Sequence, residues 1–305
     1  MPDRQGQHLQ WGAEALWRQL VPLLPGLSVE VLASVDSTNT RLLERARRSS
    51  GRHDAPVTTP GALEGIRVGG EPPTPHGRRD GDTQPALLVA ETQQHGRGRQ
   101  GRIWHAGARR SLTFSLALPL QPADWSGLSL AVGVALADAL DPPAGDSGPR
   151  IGLKWPNDLW LLDAPGAGRK LGGILIETVA VGERRMVVVG IGLNVLPQAP
   201  GAELSSGFAC LQELHPDIDP PQTLHRVALP LVRTLLAFER EGFAPQAAAY
   251  RRRDLLFGQT VRTTRADVPE GVAEGVDEHG ALRVRAGAVH ALVSGEVSVR
   301  PTAAH

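Results

Sequence analysis

ALLVAETQQHGRGRQGRIWHAGARRSLTFSL, residues 86–116, decides the fold class of this 305-residue chain. Within it, residues 96–101 satisfy the letters of GxGxxG, the dinucleotide-binding fingerprint, which needs a strand before it and a helix after it. The apolar run 86–90 predicts the strand, but residues 103–107 do not have the pattern of an amphipathic helix, and residues 112–116 alternate like a second strand. The pattern therefore predicts strand, loop, strand, and it excludes a dinucleotide-binding unit.

The loop between these two strands alternates glycine with arginine. Glycine loses much backbone entropy on ordering and permits close approach, so the loop is expected to be mobile when empty and to wrap closely around a ligand. Arg97, Arg99 and Arg102 carry planar guanidinium groups that suit phosphate or carboxylate oxygens. A kinase-type glycine loop also lies between strands, but the chain lacks the HRD and DFG motifs. Taken alone, this run leaves a solvated surface loop as an alternative.

Composition limits the function classes. The chain is 41% hydrophobic, enough for a large domain with a small one, and its 32 basic residues equal its 32 acidic residues. No global field therefore draws it to nucleic acid or anionic lipid, and a basic site must be local. The single cysteine, Cys210, excludes an internal disulfide and a cysteine-based zinc cluster. The amino terminus has no signal pattern and the apolar runs are too short to cross a bilayer, so we expect a cytoplasmic protein.

Hydrophobic periodicity predicts a mixed α/β order. Helices are predicted at 13–24, 40–46, 128–140 and 224–241, and strands at 27–32, 86–90, 112–118, 150–155, 172–179 and 185–193. Asp36-Ser37-Thr38-Asn39 precedes the second helix with residues that commonly cap one. Residues 49–84 are rich in glycine, proline and charge, which predicts a long mobile insertion.

The pattern changes near residue 250, where we place a domain boundary. Short alternating strands are predicted at 260–264, 271–276, 281–285 and 289–293, with a hairpin turn at His279-Gly280. Such a series of short strands is typical of a small β-barrel.

Two further motifs combine chemically useful groups. Lys154-Trp155-Pro156-Asn157-Asp158 places a cation, a rigid bend and a carboxylate within five residues. Asp158 is a candidate Mg²⁺ ligand, because Mg²⁺ takes one or two carboxylates together with phosphate oxygens, although Pro-Asn-Asp is also ordinary turn chemistry.

Lys170 is predicted at the mouth of a strand whose paired Gly172 and Gly173 permit close approach of a backbone or a ligand. A surface lysine behind the flexible turn at 164–168 is the alternative. Asn194 lies at the end of the apolar strand predicted within residues 190–195. It either closes a turn or faces a ligand.

The order of five motifs is more specific than any one of them. DSTN, QQHGRGRQGR, KWPND, KLGGI and GIGLN, at 36–39, 93–102, 154–158, 170–174 and 190–194, together resemble the biotin protein ligases. The resemblance covers residues 31–46, 86–118, 151–195 and, more loosely, 250–300. It implies a mixed-sheet catalytic domain like that of class II aminoacyl-tRNA synthetases over 1–250, and an SH3-like barrel over 251–305. The insertion at 49–84 has no counterpart in the pattern.

The resemblance implies a two-step reaction. The biotin carboxylate attacks the α-phosphate of ATP with Mg²⁺ present, and a lysine of a biotin carboxyl carrier protein of acetyl-CoA carboxylase or a related carboxylase then attacks the adenylate. Bringing a carboxylate to a polyanion needs positive charge held in place. Many relatives carry an amino-terminal helix-turn-helix, for which the single helix predicted before residue 27 leaves no room. We therefore expect no nucleic-acid or membrane partner, and a monomer or weak homodimer.

The resemblance also assigns roles to residues. Arg99, Lys170 and Asp158 are the implied catalytic residues: Arg99 retains the adenylate, Lys170 contacts the biotinyl carboxyl and phosphate oxygens, and Asp158 is the nearest candidate for a base. The implied biotin-binding residues are Ser37, Thr38, Asn39, Gln93, Gly96, Arg97, Arg99, Arg102, Trp104, Lys170, Gly172 and Gly173. The implied ATP-binding residues are Arg99, Arg102, Lys154, Asn157, Asn194, Glu296 and Arg300. Asp158 and Asn194 are the implied metal ligands.

Two other functional hypotheses compete with a biotin protein ligase. A lipoate–protein ligase shares the fold and the adenylate chemistry, but it is expected to lack the arginine loop and the KWPND motif. A biotin-sensing or nucleic-acid-binding module without catalysis would also use arginines, but the zero net charge and the missing DNA-binding domain argue against it. Pyrophosphate release with biotin or with lipoate separates the three.

Overall fold

The computed structural model of the chain describes residues 9–50, 83–104, 107–143, 148–164, 167–198, 207–293 and 300–301. Most of the expected insertion, residues 51–82, lies outside these ranges. The helices are α1 Ala13–Leu20, α2 Thr38–Ser50, α3 Leu128–Leu140, α4 Pro220–Glu241 and α5 Ala247–Arg253. The strands are β1 Ser28–Leu32, β2 Ala86–Ala90, β3 Ser111–Pro119, β4 Ile151–Lys154, β5 Asp158–Ala164, β6 Ala167–Val181, β7 Arg184–Asn194, β8 Thr260–Arg262, β9 Glu270–Val276, β10 Leu282–Ala286, β11 Ala288–Leu292 and β12 Arg300–Pro301.

Seven strands form one mixed sheet in the order β1-β2-β3-β7-β6-β5-β4. The β1–β2 pair is parallel, and the other neighbouring pairs are antiparallel. The mixed α/β prediction is confirmed.

The two faces of β7 have different neighbours, because side chains alternate along a strand. Val187, Val189 and Ile191 pack into the main core with α3 and α4, while Met186 and Val188 pack against α2 on the opposite face. Further along that second face, Gly190 and Gly192 have no side chains. At this end of the face other residues, Asn39 of α2 among them, therefore approach the β7 backbone closely.

Helix α3 matches its predicted bounds and explains its unusual composition. It is apolar on all sides, and ten of its thirteen residues are buried. A helix that is hydrophobic all round needs cover all round, which the sheet and α4 supply. Helix α4 begins four residues before the predicted start, because Asp219 caps it by accepting a hydrogen bond from the Gln222 amide at 2.7 Å.

The carboxy-terminal strands form a separate antiparallel sheet in the order β11-β10-β9-β8-β12. Gly280, with φ of 79°, turns the chain between β9 and β10 as predicted. Within the described residues these strands form a sheet with β11 and β12 at its edges, and no pairing closes it into a barrel. The hairpin turn reaches the first sheet: the Trp155 indole N–H donates to the Gly280 carbonyl at 3.0 Å, and the Trp155 side chain is fully buried. The division near residue 250 stays a prediction.

Strand β5 and helix α5 were not predicted from the sequence. The motif at 154–158 was interpreted as a turn after one strand, but the chain reverses there and returns as β5, with Leu159 and Leu161 buried. Helix α5 is too short to show periodicity. It ends at Arg253, whose buried guanidinium binds Asp138 at 2.8 Å and Asp141 at 2.9 Å. The strand that carries Lys170 also begins earlier than predicted, at residue 167.

No helix in the described ranges combines the length with the apolar character that crossing a membrane demands.

Asp254, which follows α5, gives a testable pH dependence. Its Oδ1 accepts from the Leu256 amide at 2.9 Å, its Oδ2 is buried without a hydrogen-bond partner among the described residues, and burial raises the pKa from 3.8 to about 6. The folded protein therefore favours the protonated carboxyl, so this group costs no stability below about pH 4. Its cost grows from pH 4 to 6 and persists above pH 6.

Asp254→Asn keeps the Oδ1 acceptor and removes the charge. We expect it to raise the free energy of unfolding by about 1–3 kcal/mol at pH 7.5 and by much less at pH 4.5. Urea unfolding at both pH values measures this, with Asp217→Asn at an exposed carboxyl as the control. An equal effect of Asp254→Asn at the two pH values would contradict the assignment.

Candidate active site

A cleft of about 160 Å³ lies over the glycine end of β7, between the start of α2 and the glycine-arginine loop. It brings together most of the residues that sequence reasoning singled out. Those that line it are Ser37, Thr38, Asn39, Gln93, Arg97, Arg99, Arg102, Trp104, Asn157, Asp158, Lys170 and Gly173. Lining residues that sequence reasoning did not assign are Gly98, Ile103, Thr113, Ile174, Leu175, Gly190, Ile191 and Gly192.

One end of the cleft is neutral and rich in hydrogen-bonding groups. The first residues of α2 lie here: the Thr38 amide donates to Gln93 Oε1 at 2.9 Å, and Asn39 Nδ2 donates to the Leu175 carbonyl at 3.2 Å. The Ser115 hydroxyl donates to Asn39 Oδ1 at 2.6 Å and lies 2.7 Å from Thr38 Oγ1. These amides and hydroxyls are therefore held in fixed orientations.

Two hydroxyls on β3 were missed as site residues. Thr113 and Ser115 alternate with large apolar residues along an otherwise hydrophobic strand, which is the signal that points to them. Ser115 orients Asn39, as described above. Thr113 lines the cleft, and its buried hydroxyl has no hydrogen-bond partner in the described part of the chain. A ligand in the cleft can supply that partner.

The floor of the cleft is bare backbone because two glycines stand on one face of β7. A Cβ on Gly192 would lie 2.5 Å from Cε2 of Trp104, and a Cβ on Gly190 would collide with Asn39 Oδ1. The indole of Trp104 therefore rests directly on the strand. Glycine repeated at every second residue of an apolar strand is the sequence signal for such a close approach.

The other end of the cleft is cationic. Lys170 Nζ lies 2.8 Å from Asp158 Oδ2 and 5.9 Å from the centroid of the Trp104 ring. Arg99 Nη1 donates to Asn157 Oδ1 at 3.3 Å. Burial is the largest influence on Arg99 and lowers the pKa of its guanidinium, while the nearby Asp158 opposes this effect. Four cations, Arg97, Arg99, Arg102 and Lys170, thus accompany one carboxylate among the lining residues, which suits an anionic ligand.

The glycine-arginine loop, residues 96–104, forms a short hairpin over the cleft. The amide of Gly98 donates to the Arg102 carbonyl at 2.7 Å, and the Trp104 amide donates to the Gly96 carbonyl at 2.8 Å. A single 3₁₀ turn at Arg99–Gly101 forms the tip. Gly96 is the first residue of this hairpin, and a Cβ there would collide with the Trp104 carbonyl oxygen and come 2.8 Å from Gln93 Nε2. We call residues 96–104 the lid.

Several assigned residues lie outside the cleft lining. The ammonium of Lys154 lies 4.6 Å from the centroid of the Trp160 ring, and Gly172 pairs with Leu193 of β7, where a Cβ would lie 2.5 Å from Leu193 Cδ2. Asn194 is buried, and its Nδ2 donates to the carbonyls of Ala209 at 3.1 Å and Lys170 at 3.3 Å. Glu296 and the side chain of Arg300 lie outside the described residues.

The donor set fits a Mg²⁺ ion that is held mainly by ligand phosphates. The parts of the chain that the structure describes contain no cluster of three or more His, Cys, Asp or Glu side chains suited to a metal. Asp158 is one carboxylate at the cationic end of the cleft, and Mg²⁺ commonly takes one or two carboxylates beside phosphate oxygens.

Known proteins resemble this chain over most of its length. A profile of the biotin/lipoate A/B protein ligase family matches residues 79–194, and one of the biotin protein ligase C terminal domain matches residues 256–300. The bifunctional ligase/repressor BirA of Escherichia coli (strain K12) is 32% identical over 293 residues, which cover 93% of this chain and 77% of that protein. The biotin–[acetyl-CoA-carboxylase] ligase of Mycobacterium tuberculosis is 33% identical over 293 residues, covering 93% and 89%.

A solved structure supports the fold. The biotin protein ligase from Aquifex aeolicus in complex with biotin and ATP superposes with a TM-score of 0.64 at 24% identity, covering 90% of this chain and 99% of that one.

Proposed function

This chain belongs to the biotin protein ligase family, and from that premise we propose that it adenylates biotin with ATP and transfers biotin to a lysine of a carboxylase's biotin-carrying domain. The observation that carries the proposal is the division of one cleft into two chemically different ends. The fixed amides and hydroxyls around Asn39 can form hydrogen bonds with the neutral ureido ring of biotin. Arg99 and Lys170 can neutralise the negative charge where the biotin carboxylate meets a phosphate of ATP.

In the first step the biotin carboxylate attacks the α-phosphate and pyrophosphate leaves. Lys170 lies beside the reacting carboxylate and phosphate oxygens in this proposal, and its ion pair with Asp158 fixes where the ammonium points. Arg99, held by Asn157, supplies a second fixed positive charge. Preorganised charge of this kind stabilises the transition state without reorganising water.

In the second step the acceptor lysine attacks the biotinyl carbonyl and AMP leaves. The acceptor amine must lose a proton, and Asp158 is the carboxylate within the cleft that we propose for this role. Its Oδ2 lies 2.8 Å from Lys170 Nζ, at the cationic end of the cleft where the reacting groups meet in this proposal. Arg99 holds the adenylate phosphate until the acceptor arrives.

Bound Mg²⁺ supplies charge neutralisation at the phosphates, and Asp158 is its proposed protein ligand. Asn194 is not included for ATP or for the metal, because it is buried outside the cleft lining and its Nδ2 donates to the carbonyls of Lys170 and Ala209. Lys154 is not included, because its ammonium lies on Trp160.

A direct test measures pyrophosphate release with biotin or with lipoate, followed by the mass of a carrier domain. We expect pyrophosphate with biotin, none with lipoate, and one added biotinyl mass on one carrier lysine. Release with lipoate in place of biotin would support the rival ligase, and release with neither would exclude both enzymes.

Gly192→Ala tests the bare floor of the cleft. The added Cβ would stand 2.5 Å from the Trp104 indole, so the ring must leave the strand. We expect biotin binding to weaken by about tenfold, since a misfit of this size costs roughly 1–3 kcal/mol. Calorimetric titration with biotin measures this. Gly148→Ala, where a Cβ meets open space, is the control, and equal affinities for the two variants would contradict the role of Gly192.

A further inference from the structure

Glu177, on β6, contacts both the lid and the neutral end of the cleft. Its carboxylate lies 3.0 Å (Oε1) from Arg97 Nη2 and 3.3 Å (Oε2) from Arg97 Nη1. The same Oε2 accepts from Asn39 Nδ2 at 3.0 Å. One carboxylate therefore joins the first arginine of the lid to an amide at the neutral end of the cleft.

The contact fixes the base of the lid. Arg97 pairs through its backbone with Ile103, so its position sets where both arms of the hairpin begin. Its guanidinium also donates to Thr40 Oγ1 at 3.3 Å, on the first turn of α2. The charge of Arg97 is thus engaged by the protein itself, while Arg99 lies further along the lid, over the cationic end of the cleft.

We propose that Glu177 is a positioning residue that docks the lid onto β6 through Arg97, and that Arg97 acts as the anchor of the lid. This inference rests on the proposed function. Retention of the adenylate then depends on an ion pair that never touches the phosphate. Because Glu177 also holds Asn39, the fit of the biotin ring and the docking of the lid depend on one carboxylate.

The experiment compares Glu177→Gln, Arg97→Gln and the double variant with Glu30→Gln. Glu30 is a matched control, because it forms a two-pronged ion pair with Arg45 at 2.6 and 2.8 Å, between β1 and α2 and outside the cleft. Two quantities are measured with biotin and ATP present: the rate at which trypsin cleaves after Arg99 and Arg102, and the free biotinyl-adenylate released per pyrophosphate formed. Thermal unfolding of each variant accompanies them.

We expect both quantities to rise about threefold to tenfold in Glu177→Gln and in Arg97→Gln, and to stay at parental values in Glu30→Gln. The double variant is expected to leak no more than the worse single variant, because both changes break one contact. Parental values in both single variants, or additive effects in the double variant, would overturn the proposal. If Glu177→Gln fails to fold, Arg97→Gln decides alone, since Arg97 is half exposed.

Failure of this inference is distinct from failure of the proposed function. A parent enzyme that releases no pyrophosphate with biotin removes the function. A parent that does so, with variants whose lids resist trypsin as the parent's lid does, removes only the role of Glu177.

Discussion

Lys170→Ala is expected to lower the rate of pyrophosphate release by about a hundredfold to a thousandfold, because it removes one preorganised charge from the proposed site of adenylyl transfer. The substitution also leaves Asp158 without its partner at 2.8 Å, so a negative charge faces two anionic reactants. Both effects act on the first step. Docking of the carrier domain is expected to change little.

The measurement is single-turnover pyrophosphate release, with carrier transfer from preformed biotinyl-adenylate assayed separately. The chain has two lysines, so Lys154→Ala is the natural control: it removes the other ammonium, which lies on Trp160. Pyrophosphate release at the parental rate in Lys170→Ala would show that Lys170 is not part of the first step.

Arg99→Gly is expected to release biotinyl-adenylate ten- to a hundredfold faster than the parent. A hydrogen bond to a charged group contributes about 1.5–3 kcal/mol, and about 1.4 kcal/mol corresponds to tenfold in occupancy. Adenylate formation is expected to continue, because Lys170 and Arg102 remain. The escaped acyl-adenylate then reacts with lysines that the enzyme does not select.

The assay needs a lysine-rich bystander protein, because this chain offers the escaped adenylate only Lys154 and Lys170. Biotin on the bystander is counted against biotin on the carrier domain. Arg110→Gly is the control, since this arginine lies beyond the lid and donates to the Pro197 carbonyl at 2.6 Å. A bystander signal no greater in Arg99→Gly than in the parent would remove the retaining role of Arg99.

The sequence predicted most of the large sheet, because buried apolar runs and the glycine pattern report it directly. It missed β5 because Pro156 and Asn157 form a turn so tight that two antiparallel strands look like one strand followed by a loop. The cleft residues could be assigned to one site because the order of their motifs resembles that of a known family. Ser115 was missed although its alternation with apolar residues marks it, and Glu177 has no such local signal, because it acts through Asn39, which is distant along the chain.

Lys154 and Asn194 show the complementary limit. Each is the last residue of a strand, and its place in a motif did not indicate where its side chain points. The register of β4 with β5 carries Lys154 to Trp160, and the chain at Ala209 returns beside Lys170 to bind the amide of Asn194. Such placements depend on pairings between distant segments, which a local pattern does not contain.

The hydrogen bond from Trp155 to Gly280 changes how a shortened enzyme is to be understood. Deleting residues 255–305 would expose the indole of Trp155, which is fully buried in the intact chain. Trp155 lies one residue before Pro156 and three before Asp158. The turn that holds Asn157 and Asp158 would lose its support, and activity would fall even if no group of the second sheet ever meets a nucleotide. The carboxy-terminal sheet therefore supports the turn at 155–158, and Arg300→Ala in the intact chain separates that support from the proposed contact of Arg300 with the nucleotide.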